Sequence, residues 1–184
     1  MSMFTRRHWI LLVVIGCLCG CSRYSTSRLV ESLKDEKKQE RRKAAESLGQ
    51  MGRNAREAVP ALSESLKDSD AKVRRLSAKS LGQLKHAAKH SVPSLVEALS
   101  DQDPKVRNAA AQALGKVRAQ PELSVPALIG ALKDADANVR TSAAMALARF
   151  GAQAKSAVPS LEKASQQDVD RHVRDAAAMA LHKI

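Results

Sequence analysis

The chain has 184 residues, of which 44% are hydrophobic and 27% charged, a composition typical of a folded globular protein rather than a disordered one. Only 2% of the residues are aromatic, so we expect a thin core of small aliphatic side chains instead of one filled by large rings. The formal net charge of +12 favours an anionic partner or surface.

The N-terminal segment has the features of a secretion signal. Two arginines precede an apolar run over residues 9–18, which is shorter than the roughly 20 apolar residues needed to span a bilayer. The segment ends in Leu18-Cys19-Gly20-Cys21, which resembles the bacterial lipobox. The resemblance implies that Cys21 is lipidated and becomes the mature N-terminus, with Cys17, after Val14-Ile15-Gly16, as the alternative.

This reading predicts where the protein resides. We expect a signal peptide over residues 1–21, a short tether over residues 22–27, and an N-terminal lipid that holds the protein at the cell envelope, facing the periplasm or the cell exterior. All three cysteines lie at positions 17, 19 and 21, so cleavage before Cys21 would leave no thiol for a disulfide, a metal or a nucleophile. An ordinary secretory signal or an uncleaved N-terminus is the alternative.

The rest of the sequence repeats a unit of about 33 residues. A Val-Pro pair recurs at 59–60, 92–93, 125–126 and 158–159, and each pair is followed by an apolar helix pattern and a turn of the form Asp-x-x-Val-Arg. The residues after each turn are apolar at helical spacing. Each unit therefore predicts a helical hairpin, and a period of this length is typical of a solenoid. We expect repeats at 28–60, 61–93, 94–126, 127–159 and 160–184.

These features resemble HEAT repeats of the phycobilisome-lyase HEAT-like type. The resemblance covers residues 28–184 and implies an all-α fold, a right-handed α-α superhelix of about five helical hairpins. It also implies that the second helix of each hairpin lines the concave face. The first unit departs most from the pattern, as expected of a terminal repeat.

The recurring turn residues predict structural roles. An Asp before a helix can accept hydrogen bonds from the free backbone N–H groups of the first turn, and the resemblance implies that the Arg four residues later joins an inter-repeat ladder. The residues assigned to caps and ladder are Asp70, Arg74, Asp103, Arg107, Asp136, Arg140, Asp170 and Arg174. Gly49, Gly82 and Gly115 lie inside second helices, where glycine costs about 1 kcal/mol, so we expect a neighbouring helix to approach closely there.

No pattern predicts a catalytic or metal site. Residues 134–138 begin like a calcium-binding loop, but Val139 and Met145 stand where that loop needs Gly and Glu. His86 and His90 stand four residues apart without a nearby cysteine or carboxylate, so we interpret them as part of a solvated loop between repeats. No serine lies in a nucleophile motif. We therefore predict no catalytic residue, no metal and no cofactor.

Solenoids of this kind present extended surfaces that bind partners. The helical phase that buries Val73, Leu76 and Leu81 leaves a polar ridge exposed on the second helices. The ridge residues predicted to contact a partner are Arg42, Arg75, Lys79, Gln83, Asn108, Gln112, Lys116, Met145, Arg149 and Met179. We predict a non-enzymatic, lipid-anchored scaffold that binds a protein partner and no nucleic acid. A bilin-lyase-like enzyme or accessory protein is the alternative that the resemblance implies.

The two ends of this ridge predict different attractions. Met145 and Met179 lie toward the C-terminus, and the final segment over residues 175–184 is almost wholly apolar or small, which predicts that the partner or a second copy docks on the fifth repeat by apolar burial. Arg42, Arg75 and Lys79 instead predict electrostatic binding. Residues 22–93 hold 17 basic and 9 acidic side chains, against 12 and 10 in residues 94–184.

Overall fold

The computed structural model describes residues 26–184, which form an α-α superhelix of five helical hairpins. The helices are α1 over residues 26–32, α2 Lys38–Gln50, α3 Val59–Glu64, α4 Ala71–Leu84, α5 Val92–Glu97, α6 Pro104–Val117, α7 Pro121–Ala131, α8 Ala137–Phe150, α9 Val158–Gln167 and α10 Arg171–Leu181. This part of the chain contains no strand, and the predicted all-α fold is confirmed. The predicted signal peptide, with Cys17 and Cys21, lies outside the described residues.

The hairpin boundaries differ slightly from those predicted. Helix α1 begins at residue 26, so the last two residues assigned to the tether are helical. We placed each repeat boundary directly after a Val-Pro pair, but these boundaries fall inside the first helices. Proline occupies one of the first two positions of α3, α5 and α9, where a helix tolerates it best, so the helix has already begun at the pair. No helix in residues 26–184 is both long enough and apolar enough to cross a membrane.

The second helices α2, α4, α6, α8 and α10 pack side by side along the stack. Small residues allow this approach: a Cβ atom added to Gly82 would lie 3.0 Å from Ala113 Cα, and one added to Gly115 would lie 2.8 Å from Ala146 Cα. Because helix separation follows side-chain size, these small residues bring the second helices close together, and we take the face that they form as the concave side of the stack.

The core consists of repeated aliphatic side chains, as the composition predicts. The first four second helices each contribute at least one fully buried leucine, and so do the first helices of repeats two to five. These residues are Leu48, Leu81, Leu114 and Leu147, and Leu62, Leu95, Leu128 and Leu161. The one aromatic side chain of residues 26–184, Phe150, is also buried.

The last helix, α10, buries one of its faces against the rest of the stack. In α10 the side chains of Val173, Ala176, Ala177 and Ala180 are buried, because this face packs against α8 and α9. Met179 remains 52% exposed. Ala178 is exposed as well, and Leu181 and Ile184 are half-buried. Docking of a partner or a second copy on the fifth repeat therefore stays a prediction.

The glycine at the centre of the second-helix stack provides a stability test. We expect Gly115→Ala to lower the free energy of unfolding, because overpacking against the Ala146 backbone typically costs about 1–3 kcal/mol and exceeds the gain of about 1 kcal/mol in helix propensity. Gly130→Ala is the matched control, since a Cβ atom there meets nothing within 4 Å, and it should be neutral or stabilising. Urea unfolding followed by circular dichroism measures both; equal effects would contradict the close approach.

Candidate functional site

The second aspartate of each turn caps the helix that follows. Asp70 Oδ1 accepts a hydrogen bond from the Val73 amide at 3.0 Å, and Asp103 Oδ1 accepts one from the Lys105 amide at 2.7 Å. Asp136 and Asp170 cap α8 and α10 in the same way. These side chains satisfy backbone donors that the first turn of a helix leaves free.

The first aspartate of each turn forms the ladder between hairpins. In the central rung, Arg107 donates from Nε and Nη2 to the two carboxylate oxygens of Asp134, at 2.7 and 2.8 Å. The other rungs join Arg41 to Asp68, Arg74 to Asp101, and Arg140 to Asp168. Each arginine also donates from Nη1 to carbonyl oxygens of its own turn, as Arg107 does to Asp101. A rung therefore ties one turn to the next.

These rungs show which residues the sequence analysis missed. The ladder partners are Asp68, Asp101, Asp134 and Asp168 rather than the capping aspartates, and the first rung comes from Arg41. The signal was present as a separation of 27 or 28 residues between arginine and aspartate. Arg174, which we assigned to the ladder, forms no ion pair with an aspartate among residues 26–184. It donates only to the Asp168 and Val169 carbonyls.

Arg42 does not behave as a free ridge residue. Its guanidinium donates to both carboxylate oxygens of Asp70, from Nε at 2.9 Å. This hydrogen bond, with a smaller contribution from the Val73 amide, outweighs the effect of burial and lowers the pKa of Asp70 to about 2. We therefore assign Arg42 to the structural ion pairs and not to the partner-contacting surface.

The ion pairs predict how stability depends on pH. Hydrogen bonds from Arg107 and Arg140 hold the pKa values of Asp134 and Asp168 below their ordinary range, although partial burial opposes this. A lowered pKa contributes stability that is fully present above the ordinary aspartate value of about 4 and is lost as the pH falls through the folded-state value. The urea midpoint should therefore be nearly constant from pH 7 to 5 and should fall between about pH 4 and 2. An unchanged midpoint at pH 2 would contradict this.

The remaining predicted ridge residues lie on the concave face. Lys79, Gln83, Gln112, Lys116, Met145, Arg149 and Met179 are exposed, and Arg75 and Asn108 are half-buried. Two clefts of about 630 and 610 Å³ open on this face. The smaller one contains Arg75, Lys79, Asn108, Gln112 and Lys116, and the larger one contains Lys116 and Arg149. Met179 lines neither cleft.

The clefts also contain basic residues outside the predicted ridge. Those in the larger cleft are Arg53, Arg56, Lys85, His86 and Arg118, and those in the smaller one are Lys72 and Lys105. Most of these residues belong to the segments between hairpins, and helical periodicity does not predict which way side chains in such segments point. His86 lies at the larger cleft, whereas His90 is exposed elsewhere on the same 3₁₀ segment. Within residues 26–184, no group of three or more His, Cys, Asp or Glu is placed to hold a metal ion.

Sequence comparison places the chain in a known family. The family described as HEAT repeats matches residues 26–115 and 92–182, which together cover the described structure, and the chain belongs to the HEAT-repeat family. It is a repeat scaffold of the kind that binds proteins. No curated protein matches the sequence.

Solved structures show the same solenoid. The chain is similar to a structure of the complex of CpcE and CpcF of phycocyanin lyase from Nostoc sp. PCC7120, with 26% identity and a TM-score of 0.74 over 86% of this chain and 64% of that chain. An engineered protein has 26% identity and a TM-score of 0.71, over 86% and 80% of the two chains. A designed armadillo repeat protein in complex with peptide (KR)4 has 19% identity and a TM-score of 0.69, over 84% and 80%.

Proposed function

We propose that this protein is a non-enzymatic scaffold of the bacterial cell envelope, anchored by a lipid on Cys21, that binds another protein along the concave face of its second helices. The observation that carries the proposal is the exposed ridge with its two clefts. In residues 26–184 the side chains with shifted pKa values belong to the ladder and the Arg42–Asp70 pair. Each shifted group is held in an arginine–aspartate ion pair between hairpins, so its pKa shift has a structural cause, and structural ion pairs shift pKa values as catalytic sites do.

The lipobox-like sequence supports the anchor. Residue 26 is already helical, so at most four residues separate α1 from Cys21, and they reach at most about 14 Å. The first hairpin would then lie close to the lipid surface, and the concave face would be presented near the membrane. We expect membrane fractionation and an acylated Cys21 in intact-mass analysis of the wild-type protein. Cys21→Ser should release the protein from membranes, and Cys17→Ser should not; the reverse pattern would move the anchor to Cys17.

Site-specific crosslinking tests the binding surface. A photo-crosslinking residue at Gln112 on the concave face should capture a discrete protein in intact membranes of the host. The same residue at Gly130, an exposed position on α7, is the matched control and should capture little. Equal crosslinking at both positions, or none at either, would contradict the proposed surface. Crosslinking from Gln112 to a second copy would show that the concave face binds another molecule of this protein.

The bilin-lyase alternative has one specific observation in its favour, the similarity to the CpcE and CpcF complex. Against it, the ring of Phe150 is only 5% exposed, so the described concave face offers no aromatic side chain to stack on a conjugated pigment. Incubation with a linear tetrapyrrole distinguishes the two functions. A scaffold should leave the pigment's absorption spectrum unchanged, and stoichiometric binding with a shifted spectrum would favour the alternative.

A further inference from the structure

The basic residues of this solenoid fall into two groups. The ladder arginines and Arg42 have aspartate partners, as described above. The two concave clefts, which meet at Lys116 and which we call the basic groove, hold ten other lysines and arginines and a single acid, Glu46. An adjoining cleft of about 360 Å³ places Asp70, the partner of Arg42, and Asp103 beside Lys72, Arg75 and Lys105. None of these ten side chains forms an ion pair with another described residue.

The groove accounts for the whole net charge of the described chain. Residues 26–184 contain 28 lysines and arginines and 19 aspartates and glutamates, a net charge of +9. Ten of the basic residues and one of the acids line the groove, so 18 basic and 18 acidic residues remain elsewhere and cancel. The net positive charge of residues 26–184 therefore equals that of the groove, where low-dielectric walls strengthen its field.

Several groove residues occupy positions that are unfavourable for the fold. Lys85 and Arg118 have positive φ angles of 53° and 49°, at the place in the repeat where Gly52 and Gly151 stand with φ angles of 54° and 55°. A side chain in this region is strained, whereas glycine is not.

Lys72 and Lys105 lie in the first turns of α4 and α6, where a positive charge opposes the helix dipole. Stability of the fold does not explain basic side chains at these four positions, whereas binding of an anionic partner would.

The dimensions of the groove suit an extended chain. Lys72 follows the start of α4 and Lys85 follows its end, and Lys105 and Arg118 are placed in the same way on α6. A 14-residue helix is about 21 Å long, so six or seven residues of an extended segment would run from one end of the groove to the other. Carboxylates at alternate positions would face the basic side chains.

We propose that the basic groove binds an extended acidic segment of the partner protein, and this rests on the proposed scaffold function. Arginine guanidinium groups hold carboxylates through paired hydrogen bonds. Neutral groups lie beside the charges: Asn108 and Gln112 can bond a peptide backbone, and Leu76 and Ala109 give the smaller cleft an aliphatic lining. Proteins that bind single-stranded nucleic acid usually stack its bases on aromatic side chains, and the groove contains no Phe, Tyr or Trp.

Fluorescence anisotropy with the full chain in neutral detergent tests this proposal. The probe is a labelled peptide of five Glu-Ala units, compared with its Gln-Ala counterpart, labelled oligodeoxythymidine and vesicles containing anionic phospholipid. The groove variant is Lys116→Glu with Arg118→Glu. Its control, Lys133→Glu with Lys163→Glu, has the same net charge and alters exposed lysines near Asp168, in a small separate cleft of about 260 Å³.

We expect the Glu-Ala peptide to bind the wild type and the control with similar dissociation constants, at least tenfold lower than that of the groove variant. Binding should weaken steeply toward 0.5 M salt, where the Debye length is about 4 Å. Lys85→Gly should also weaken binding while leaving the urea midpoint unchanged or raised, so lost affinity cannot be attributed to unfolding.

Three results would overturn the proposal: no binding of the acidic peptide, equal weakening in the groove and control variants, or groove-dependent binding of oligonucleotide or vesicles that is tighter than that of the peptide. If a partner crosslinks at Gln112 but its binding does not change in the groove variant, the acidic-segment proposal is wrong and the scaffold function is supported. Loss of all crosslinking would reject the scaffold function itself.

Discussion

Leu114→Ala is expected to lower the free energy of unfolding by about 2–5 kcal/mol, the usual range for a leucine removed from a close-packed core. The Leu114 side chain is completely buried at the middle of α6, and α6 packs against both α4 and α8. Because each repeat of a solenoid is stabilised only by its neighbours, a cavity in the central hairpin weakens two interfaces at once. The measurement is urea unfolding followed by far-ultraviolet circular dichroism.

Lys116→Ala is the control for this substitution. Lys116 lies on the same helix with its side chain exposed, and its removal should change the free energy of unfolding by less than about 0.5 kcal/mol. If Leu114→Ala had as small an effect as the control, the repeated leucine column would not be what holds the hairpins together.

Arg107→Ala is expected to lower the free energy of unfolding by about 1–3 kcal/mol, although its side chain lies outside the leucine core. The substitution leaves the Asp134 carboxylate, which is only 11% exposed, without its charged partner, and a poorly solvated acceptor that loses its donor is destabilising. It also removes the donor to the Asp101 carbonyl. Urea unfolding measures the loss, and the acid sensitivity between pH 4 and 2 should become smaller.

The control for the ladder is Arg118→Ala, which removes an arginine that has no ion-pair partner among the described residues. It should be close to neutral or slightly stabilising. A double-mutant cycle between Arg107→Ala and Asp134→Ala isolates the pair, because two residues in direct contact should show a non-additive effect. Additive effects would show that Arg107 stabilises the chain by some route other than the rung.

The sequence predicted the fold well because the relevant signals are local and recur. A Val-Pro pair, an Asp-x-x-Val-Arg turn and a glycine inside the following helix each act within one hairpin or between adjacent ones. The period therefore predicted the hairpins, the helix caps and the close approach of neighbouring helices at Gly82 and Gly115. A Cβ atom added at either glycine would lie too close to the backbone of the next helix. The helical state of residues 26 and 27 was not predicted, because these residues carry no repeat signal.

The functional surface was only partly predictable, for a physical reason. Helical phase identified Lys79 and Lys116 as exposed, since both lie within regular helices. It could not place Arg53 or Arg118, which belong to the segments between hairpins and reach the same cleft only through the curvature of the stack. Nor could phase alone separate Arg42 from Arg75: their positions in the repeat are equivalent, but only Arg42 has formed an ion pair.

Paired arginines join the hairpins of this solenoid, and the unpaired basic residues of the groove are those that we propose to bind a partner. Urea unfolding with and without the Glu-Ala peptide tests both roles, because a ligand at 100 times its dissociation constant raises the free energy of unfolding by about 2.7 kcal/mol. Arg107→Ala should unfold at lower urea yet show the full stabilisation by peptide. Lys85→Gly should unfold at the same or higher urea and show less stabilisation. Loss of peptide stabilisation in Arg107→Ala but not in Lys85→Gly, or equal stabilisation of both variants, would contradict these two roles.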